Sequence, residues 1–403
     1  MCPSSLIPIG VMTTSSKPTP TLRITPLRFG EWTSKPSKPS VPHSGSLRRA
    51  FFSGGVPMFA FLSFEEVIAP QRLQPFLDRL LIPPEIDTAL HQGAGVAIGV
   101  SGGKDSSALL ITLSVLLRTR YPEAEMVALH ADTGMEWRQT EPHLRDITNR
   151  LGIALHIVRR EQGDLIQRIQ QRYDYLQSVG KTSTPMWPDA RNRFCTSEVK
   201  VAPLDSWSRQ WRVSGTVIHA VGIRAEESSS RAKKTACVPR PKITTKTRTG
   251  LTWHPILNFS LEEVWQVLGV ELHQLKALQQ QVRAFLQAGQ GNVFEYIKDR
   301  GWLWSISYPL GSTRLSCTCC VLASRNDLCV GASHNPDMYR RLVQMEIDTG
   351  FSFQPSQWLG DVMPSLLPPE MRSALETVKA KKNQPHQSTT TIRLRQPQQL
   401  TLF

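Results

Sequence analysis

Six consecutive residues, Ser101-Gly102-Gly103-Lys104-Asp105-Ser106, have the side chains and the backbone freedom to hold an anion. Two glycines let the backbone turn tightly, so that successive N–H groups can point at a ligand. Lys104 brings a positive charge, and the hydroxyls of Ser101 and Ser106 can donate hydrogen bonds. We call residues 101–106 the glycine loop and predict that it binds a phosphate or sulfate group. An ordinary strand-to-helix turn, capped by Asp105 or Ser106, is the alternative.

Cysteines are the second group of residues that could carry chemistry. Three of the seven lie together as Cys317-Thr-Cys319-Cys320, the cysteine loop, and Cys195 lies in the segment RFCTSEVK. Cys317 and Cys320 form a C-x-x-C pair, which lets two thiolates reach one metal centre. Cys195 and Cys319 are the candidates for a third and a fourth ligand. Iron–sulfur, zinc, a redox-active thiol pair and inert buried thiols all stay open.

The elements that must position these residues alternate between short apolar strands and longer helices. The predicted strands and helices place the glycine loop between the first strand and the first helix, where the helix N-terminus adds partial positive charge. Strand–helix alternation at this spacing predicts an α/β fold, a parallel sheet with helices on both faces and all carboxyl ends at one ligand-binding edge. The predicted strands cover residues 95–100, 125–130, 155–159 and 217–222, and the helices cover residues 106–118, 140–151 and 261–270.

The string SGGKDS resembles the PP-loop of the N-type ATP pyrophosphatase and phosphoadenylyl-sulfate (PAPS) reductase superfamily. Four further segments resemble the same family in order along the chain. They are HADTG at 130–134, RFCTSEVK at 193–200, GIRAEES at 222–228, and WHPI at 253–256 with LEEVW at 261–265. Because five ordered motifs are far more specific than any one of them, the chain is identified as a member of the PAPS reductase family.

The resemblance implies an adenine nucleotide alpha-hydrolase-like (Rossmann-like) fold followed by a mainly helical C-terminal region. It also implies that an adenine nucleotide (PAPS, adenylyl sulfate or ATP, the last with Mg) lays its phosphate or sulfate on the glycine loop. Asp132 and Thr133 would then lie near the ribose and adenine, and Arg224, Glu226 and Arg231 near the anionic end. Lys104, Arg224 and Cys195 would be catalytic. The alternatives are a turn cap for Asp132 and a surface ion pair for Arg224 and Glu226.

The cysteine pattern decides between branches of this family. Reductases of adenylyl sulfate carry a Cys-Cys pair and a later C-x-x-C around a [4Fe-4S] cluster, the related DNA-phosphorothioation sulfurtransferases also hold a cluster, and cluster-free PAPS reductases carry an ECGLH-type tail. Here Phe194 precedes Cys195, and the sequence ends in QPQQLTLF. The pattern is therefore closer to the sulfurtransferase branch, with a four-cysteine site formed by Cys195, Cys317, Cys319 and Cys320.

Three functions follow from the resemblance and stay open. The first is sulfur chemistry on the bound nucleotide, reductive or transfer, with an electron or sulfur donor protein as partner. The second is an ATP-dependent sulfurtransferase that adenylates and then thiolates a nucleic acid, tRNA or DNA. The third is a nucleotide-binding module without turnover.

The net charge of +14 is concentrated in a few segments. Residues 1–57 hold seven basic residues and one acid, and residues 379–403 hold five basic residues and no acid. We expect a disordered leader at 1–57 (a transit peptide or a misassigned start), a nucleotide-binding domain at 58–270, a helical region at 271–378 and a disordered tail at 379–403.

One further segment, Arg231–Arg248, contains seven basic residues and no acid. We predict a flexible loop that closes over phosphates or contacts a nucleic-acid backbone, with a solvated loop as the alternative. Since the longest apolar runs fall far short of the roughly 20 residues that span a bilayer, we expect a cytoplasmic protein without membrane contact.

Overall fold

The computed structural model describes residues 61–289, 291–315 and 317–383. Its central feature is a six-stranded sheet in the order β3-β2-β1-β4-β6-β5, parallel except for β5, which pairs antiparallel with β6. The strand order reverses between β1 and β4, and ligands of open α/β sheets bind in the crevice at such a point. The strands are β1 (Gly95–Gly99), β2 (Glu125–Ala131), β3 (Leu155–Val158), β4 (Gly215–Val221), β5 (Cys237–Pro239) and β6 (Arg248–Trp253).

Fifteen α-helical segments in the described ranges surround this sheet and form the C-terminal part. They are α1 (Phe64–Val67), α2 (Pro70–Leu77), α3 (Pro84–His91), α4 (Lys104–Arg120), α5 (Thr140–Leu151), α6 (Leu165–Ser178), α7 (Phe194–Thr196), α8 (Ala202–Trp211), α9 (Ser229–Ala232), α10 (Leu261–Val267), α11 (Leu272–Gln287), α12 (Val293–Asp299), α13 (Arg325–His334), α14 (Pro336–Thr349) and α15 (Pro369–Asn383). A π-helical turn, Ser197–Val201, joins α7 to α8.

The predicted strand–helix alternation is confirmed around β1 and α4. The first four residues of β1 are buried, as expected for a central parallel strand covered on both faces. One face of the sheet, with Ile98, packs into the large apolar cluster that contains most of α4. The opposite face, with Ala97, packs against Trp207 and Trp211 of α8. Helix α4 begins at Lys104, two residues before the predicted start, so the glycine loop runs directly into its first turn.

The basic segment Arg231–Arg248 differs from the predicted flexible loop. It contains β5, and its last residue begins β6. Arg240 Nε lies 2.6 Å from Asp205 Oδ1, and the buried Arg248 donates to the backbone carbonyls of Arg209 and Arg212. A buried guanidinium requires such partners, and they fix the segment to α8. Two of its seven basic residues are therefore structural.

The C-terminal boundary also differs from the prediction of a tail from residue 379. Helix α15 continues to Asn383, and Lys379 pairs with Glu376 at 2.8 Å and with Asp361. The predicted leader at 1–57 and the rest of the predicted tail, 384–403, lie outside the described residues. Within the described ranges, no helix combines the length and the apolarity needed to cross a membrane.

Candidate functional site

The glycine loop is shaped by hydrogen bonds among its own residues. Gly102 has a φ of +75°, in the left-handed region that favours glycine. The Ser106 hydroxyl accepts from Ser101 N at 3.1 Å and donates to the Gly103 carbonyl at 3.0 Å. Ser106, predicted to contact a ligand, therefore also holds the loop in its turn. Gly103 is the residue before α4, so the loop meets the helix N-terminus as predicted.

Asp105 joins the two predicted catalytic cations. Its carboxylate oxygens lie 3.0 Å from Lys104 Nζ and 2.5 Å from Arg224 Nε. Arg224, at the end of β4, is only 4% exposed and also pairs with Glu226. Burial alone would lower the pKa of Arg224, but the carboxylates of Asp105 and Glu226 raise it above its ordinary value. The structure thus unites four predicted site residues in one ion network, in which the cations are partly neutralised.

Arg231 lies beside this network and is not joined to it directly. Its guanidinium pairs with Glu227, and Glu227 in turn accepts a hydrogen bond from Arg224 N at 2.8 Å. The side chain of Arg231 is about a third exposed. Its predicted contact with the anionic end of a nucleotide would therefore compete with the Glu227 pair.

Gly222 allows β4 and α4 to approach each other at the site. A Cβ atom on Gly222 would lie 2.8 Å from the Asp105 carbonyl oxygen, too close for any other residue type without a backbone shift. The glycine of the GIRAEES segment is thus explained by packing, because it brings Arg224 within reach of Asp105.

Asp132 and Thr133 follow β2 at the same edge of the sheet, and their side chains form hydrogen bonds with neighbouring residues of the chain. Asp132 accepts from Gly134 N at 2.8 Å and from Arg159 Nε at 2.7 Å. Burial opposes the charge of Asp132, but these donors lower its pKa below the ordinary value. Thr133 is fully buried, and its hydroxyl donates to Glu136. The turn cap considered for Asp132 is therefore present.

The cysteine loop packs directly on the segment that follows β2. Thr318 N donates to the Met135 carbonyl at 2.7 Å, and Cys317 Sγ lies 3.7 Å from Thr133 Oγ1. Burial raises the pKa of Cys317 to about 11, although Lys200 favours its thiolate. Cys320 is less buried, and its sulfur accepts from Leu322 N at 3.5 Å. The fold therefore brings the C-x-x-C pair to the same sheet edge as the glycine loop.

Lys200 is the positive charge common to three of the four predicted metal ligands. The pKa of Lys200 is raised above its ordinary value, first by Cys317, against the opposing effect of burial, and further by Glu136, Cys320 and Cys195. The fold therefore brings the RFCTSEVK segment and the cysteine loop together, as the metal prediction requires.

The predicted four-cysteine metal site does not fit the described residues. Cys319 is 1% exposed within a second apolar cluster, which includes residues of α13 and α14. Burial raises the pKa of Cys319 to about 12. Across residues 61–289, 291–315 and 317–383, no three Cys, His, Asp or Glu side chains are arranged to hold a metal ion. Cys195, Cys317 and Cys320 pack against the same cluster, and all three interact with Lys200.

Two residues of the segment after α12 contact the glycine loop and were not predicted as part of the site. The hydroxyl of Tyr308 accepts from Lys104 N at 2.8 Å, and Leu315 packs against Gly102 and Gly103. We call residues 308–315 the strap. A contact between residues that are 204 positions apart leaves no local pattern in the sequence, which is why Tyr308 was not predicted.

The first turn of α5 contributes polar atoms that were also missed. Gln139 Oε1 and His143 Nε2 are buried with no hydrogen-bond partner among the described residues. His143 lies against Gly102, and burial lowers its pKa to about 4, so the imidazole is neutral near pH 7. Buried polar atoms without a partner are uncommon and call for an explanation such as a ligand or water.

Solved structures with detectable similarity have low identity to the chain. One is a PAPS reductase from Candida auris in a phosphate complex, with 16% identity and a TM-score of 0.30 over 53% of this chain and 88% of that one. Another is the U34-tRNA thiolase NcsA from Methanococcus maripaludis with its [4Fe-4S] cluster, with 15% identity and a TM-score of 0.32 over 59% of this chain and 80% of that one.

A third is the FMN adenylyltransferase of Candida glabrata with FAD and pyrophosphate, with 15% identity and a TM-score of 0.27 over 51% of this chain. The match spans 56% of that enzyme's length. Similarities this low say nothing about the ligands of this chain. No curated protein matches the sequence.

The family model described as the phosphoadenosine phosphosulfate reductase domain matches residues 95–309. That range begins at β1 and ends just after Tyr308, so it includes the glycine loop, the segment after β2 and Arg224. It covers more than half of the 403 residues. The chain therefore belongs to the phosphoadenosine phosphosulfate reductase family.

Proposed function

We propose that the chain binds an adenine nucleotide through its glycine loop and carries out sulfur chemistry with the cysteines beside it. The observation that carries this proposal is the 3.7 Å contact between Cys317 Sγ and Thr133 Oγ1. It joins the cysteine loop to the segment after β2, and that segment shares its sheet edge with the glycine loop. PAPS, adenylyl sulfate and ATP with Mg are the candidate nucleotides.

In this proposal, the glycine loop N–H groups and Lys104 receive the phosphate or sulfate. Arg224, held by Asp105, stabilises the charge that develops there, because preorganised cations in a buried site act strongly on nearby charge. Gln139 and His143 offer further polar atoms next to Gly102. Cys195 and the C-x-x-C pair are the candidate sulfur nucleophiles, and the positive charge of Lys200 lies close to all three. An electron or sulfur donor protein would restore them after a turnover.

An ATP-dependent sulfurtransferase acting on a nucleic acid is the second candidate. Phe194 replaces the first cysteine of the adenylyl-sulfate reductase pair, and its buried ring lies under Arg168 and Arg172. A packed aromatic side chain therefore stands at the position where the four-cysteine site of an adenylyl-sulfate reductase has a cysteine. In this candidate, ATP would adenylate tRNA or DNA before a cysteine delivers sulfur.

Product analysis separates these candidates. Anaerobically prepared protein is incubated with PAPS, adenylyl sulfate or ATP. Sulfite from either sulfated nucleotide supports a reductase, and pyrophosphate from Mg-ATP in the presence of tRNA or DNA supports a sulfurtransferase. Nucleotide binding without either product would leave a binding module. Iron and zinc analysis of the same preparation tests the cysteines, and a stoichiometric iron content would contradict the poor fit of the four-cysteine site.

Replacing Lys104 tests the nucleotide site itself. We expect Lys104→Ala to weaken Mg-ATP binding by about tenfold or more, because a charge-assisted contact to a phosphate is lost. Lys181→Ala, at an exposed lysine in the turn after α6, is the matched control and should bind as the wild type does. Isothermal titration calorimetry measures both, and an unchanged affinity in Lys104→Ala would remove the proposed site.

A further inference from the structure

Tyr308 connects the glycine loop to the strap through a single oxygen atom. Its hydroxyl accepts a hydrogen bond from Lys104 N at 2.8 Å. The side chain is 1% exposed, and the ring packs edge-on against Trp265 at a centroid distance of 4.9 Å. Tyr308 thus joins the first residue of α4 to the strap, which ends two positions before Cys317.

The strap contacts the glycine loop, and the cysteine loop contacts the segment that follows β2. At one end, Leu315 lies against Gly102 and Gly103 of the glycine loop. At the other end, Thr318 N bonds to the Met135 carbonyl, in the segment that follows β2. A displacement of the strap therefore moves the cysteines relative to the site, because Cys317 lies only two positions after Leu315, at most about 7 Å away in an extended chain.

The hydroxyl of Tyr308, rather than its ring, makes this connection. The contact of the ring with Trp265 does not use the oxygen, so a phenylalanine could fill the same space. Without the oxygen, the Lys104 N–H loses its acceptor, and the strap loses its polar link to α4. An anion on the glycine loop would draw on N–H groups of the same helix N-terminus.

We propose that Tyr308 is a positioning residue that couples nucleotide binding at the glycine loop to the exposure of Cys317 and Cys320. This inference rests on the proposed function, since it assumes that a nucleotide binds there. When the loop is empty, the Tyr308 oxygen holds the strap down. When an anion binds, the Lys104 N–H is redirected, and the strap transmits the change to the cysteine loop.

The test compares Tyr308→Phe with Tyr121→Phe. Tyr121 is also 1% exposed, and its hydroxyl donates to Asp87 at 2.5 Å on α3, so the control also loses a buried hydroxyl. The rates of iodoacetamide labelling at Cys317 and Cys320 are followed by peptide mass spectrometry with and without Mg-ATP. In the wild type and in Tyr121→Phe, we expect Mg-ATP to change both rates.

In Tyr308→Phe, we expect the rates without nucleotide to rise by about tenfold, since local opening of the loop becomes easier, and the effect of Mg-ATP to disappear. A merely structural role would leave the response to Mg-ATP intact. Leu315→Ala is the second variant, because it loosens the strap without leaving a buried N–H unpaired, and it should act in the same direction. Circular dichroism verifies that each variant is folded.

The outcomes separate this inference from the proposed function. Wild-type rates and a wild-type response to Mg-ATP in both folded variants would overturn the role of Tyr308. Mg-ATP binding by calorimetry without any effect on wild-type labelling would also overturn the coupling. If calorimetry finds no binding of Mg-ATP, PAPS or adenylyl sulfate, the proposed function fails and the coupling fails with it. Faster labelling of the cysteines in Tyr308→Phe would in that case still show that the Tyr308 hydroxyl holds the strap in place.

Discussion

Asp105 is the residue on which the two cations of the site depend. Its carboxylate separates Lys104 from Arg224, and Arg224 is almost fully buried. A buried guanidinium is tolerated only with a partner, since removing one member of a buried ion pair leaves an uncompensated charge. Asp105 therefore stabilises the fold and also limits the positive charge that a bound anion meets.

We expect Asp105→Asn to lower the free energy of unfolding by about 3 kcal/mol, because Arg224 loses its main charged partner. Asp146→Asn is the matched control, since Asp146 pairs with Arg150 at 3.1 Å on the exposed face of α5 and should cost less than about 1 kcal/mol. Urea denaturation followed by tryptophan fluorescence measures both. Equal losses in the two variants would show that the Asp105 network is no stronger than a surface pair.

The residues of the site differ in how well the sequence predicts them. Lys104, Asp105 and the glycines belong to one contiguous string, so their placement follows from the strand before them and the helix after them. Arg224 is placed by the parallel register of β1 and β4, which aligns Gly99 with Val221. The contact of Tyr308 depends on how the chain after α12 returns to the sheet, and no local periodicity encodes that path.

Among the elements, α13 fixes the position of the cysteine loop. A Cβ atom on Gly331 would lie only 1.9 Å from the Thr318 carbonyl oxygen, so the helix and the loop are in direct backbone contact. Gly331 lies in the middle of α13, where glycine is unfavourable, and the close approach of the loop explains why a glycine is present there.

We expect Gly331→Ala to destabilise the protein by about 1–3 kcal/mol, because the added methyl group must displace the cysteine loop. Labelling of Cys317 and Cys320 by iodoacetamide should become faster at the same time. Ser333→Ala, at an exposed position of the same helix, is the control and should change neither property. A stable Gly331→Ala protein with wild-type labelling would mean that α13 does not hold the loop.

Helix α14 contains a buried acid that organises the segment after it. Glu346 is fully buried, and its carboxylate oxygens accept hydrogen bonds from the backbone N–H groups of Phe353, Leu359 and Gly360. Burial raises the pKa of Glu346 from 4.5 to about 7, although the three N–H donors oppose the shift. The folded protein therefore binds a proton at this site over a pH range in which the unfolded chain does not.

This shift predicts a stability that falls as the pH rises through the range between about 4.5 and 7, by at most about 1.4 kcal/mol per pH unit. Glu346→Gln removes the titrating group and should show a shallower dependence on pH, whereas Glu370→Gln, at an exposed residue of α15, should keep the wild-type slope. Urea unfolding at a series of pH values measures all three proteins. Identical slopes in wild type and Glu346→Gln would contradict the raised pKa.

At the scale of the whole molecule, the charge of the chain is unevenly distributed. Most of the +14 comes from residues 1–57 and 379–403, and two arginines of the basic segment Arg231–Arg248 are bound within the fold. The total charge therefore gives little information about partners. The parallel sheet and the edge at which the loops meet were predicted from the alternation of apolar runs, whereas the order of the strands was not predicted. The strands β5 and β6 were both missed, and β5 was missed because three residues with a proline carry no strand pattern.

If the nucleotide binds only the folded protein, it must stabilise the whole molecule. We expect Mg-ATP at about a hundredfold excess over its dissociation constant to add about 2.7 kcal/mol to the free energy of unfolding and to raise the melting temperature by several degrees. Differential scanning calorimetry measures the shift. It should persist in Lys181→Ala and fall to about half or less in Lys104→Ala at the same Mg-ATP concentration, because a tenfold weaker affinity leaves about 1.4 kcal/mol of stabilisation. An equal shift in both variants would place the nucleotide elsewhere.

The short strand β5 also governs how the sheet meets other molecules. An open strand edge offers unpaired backbone groups to which another chain can add a strand. Here the strand is only three residues long and ends in Pro239, which has no N–H to donate. Arg240 follows and turns back to Asp205. The edge beyond β5 is therefore a poor template for growth of the sheet, which protects this side of the protein against strand-to-strand aggregation.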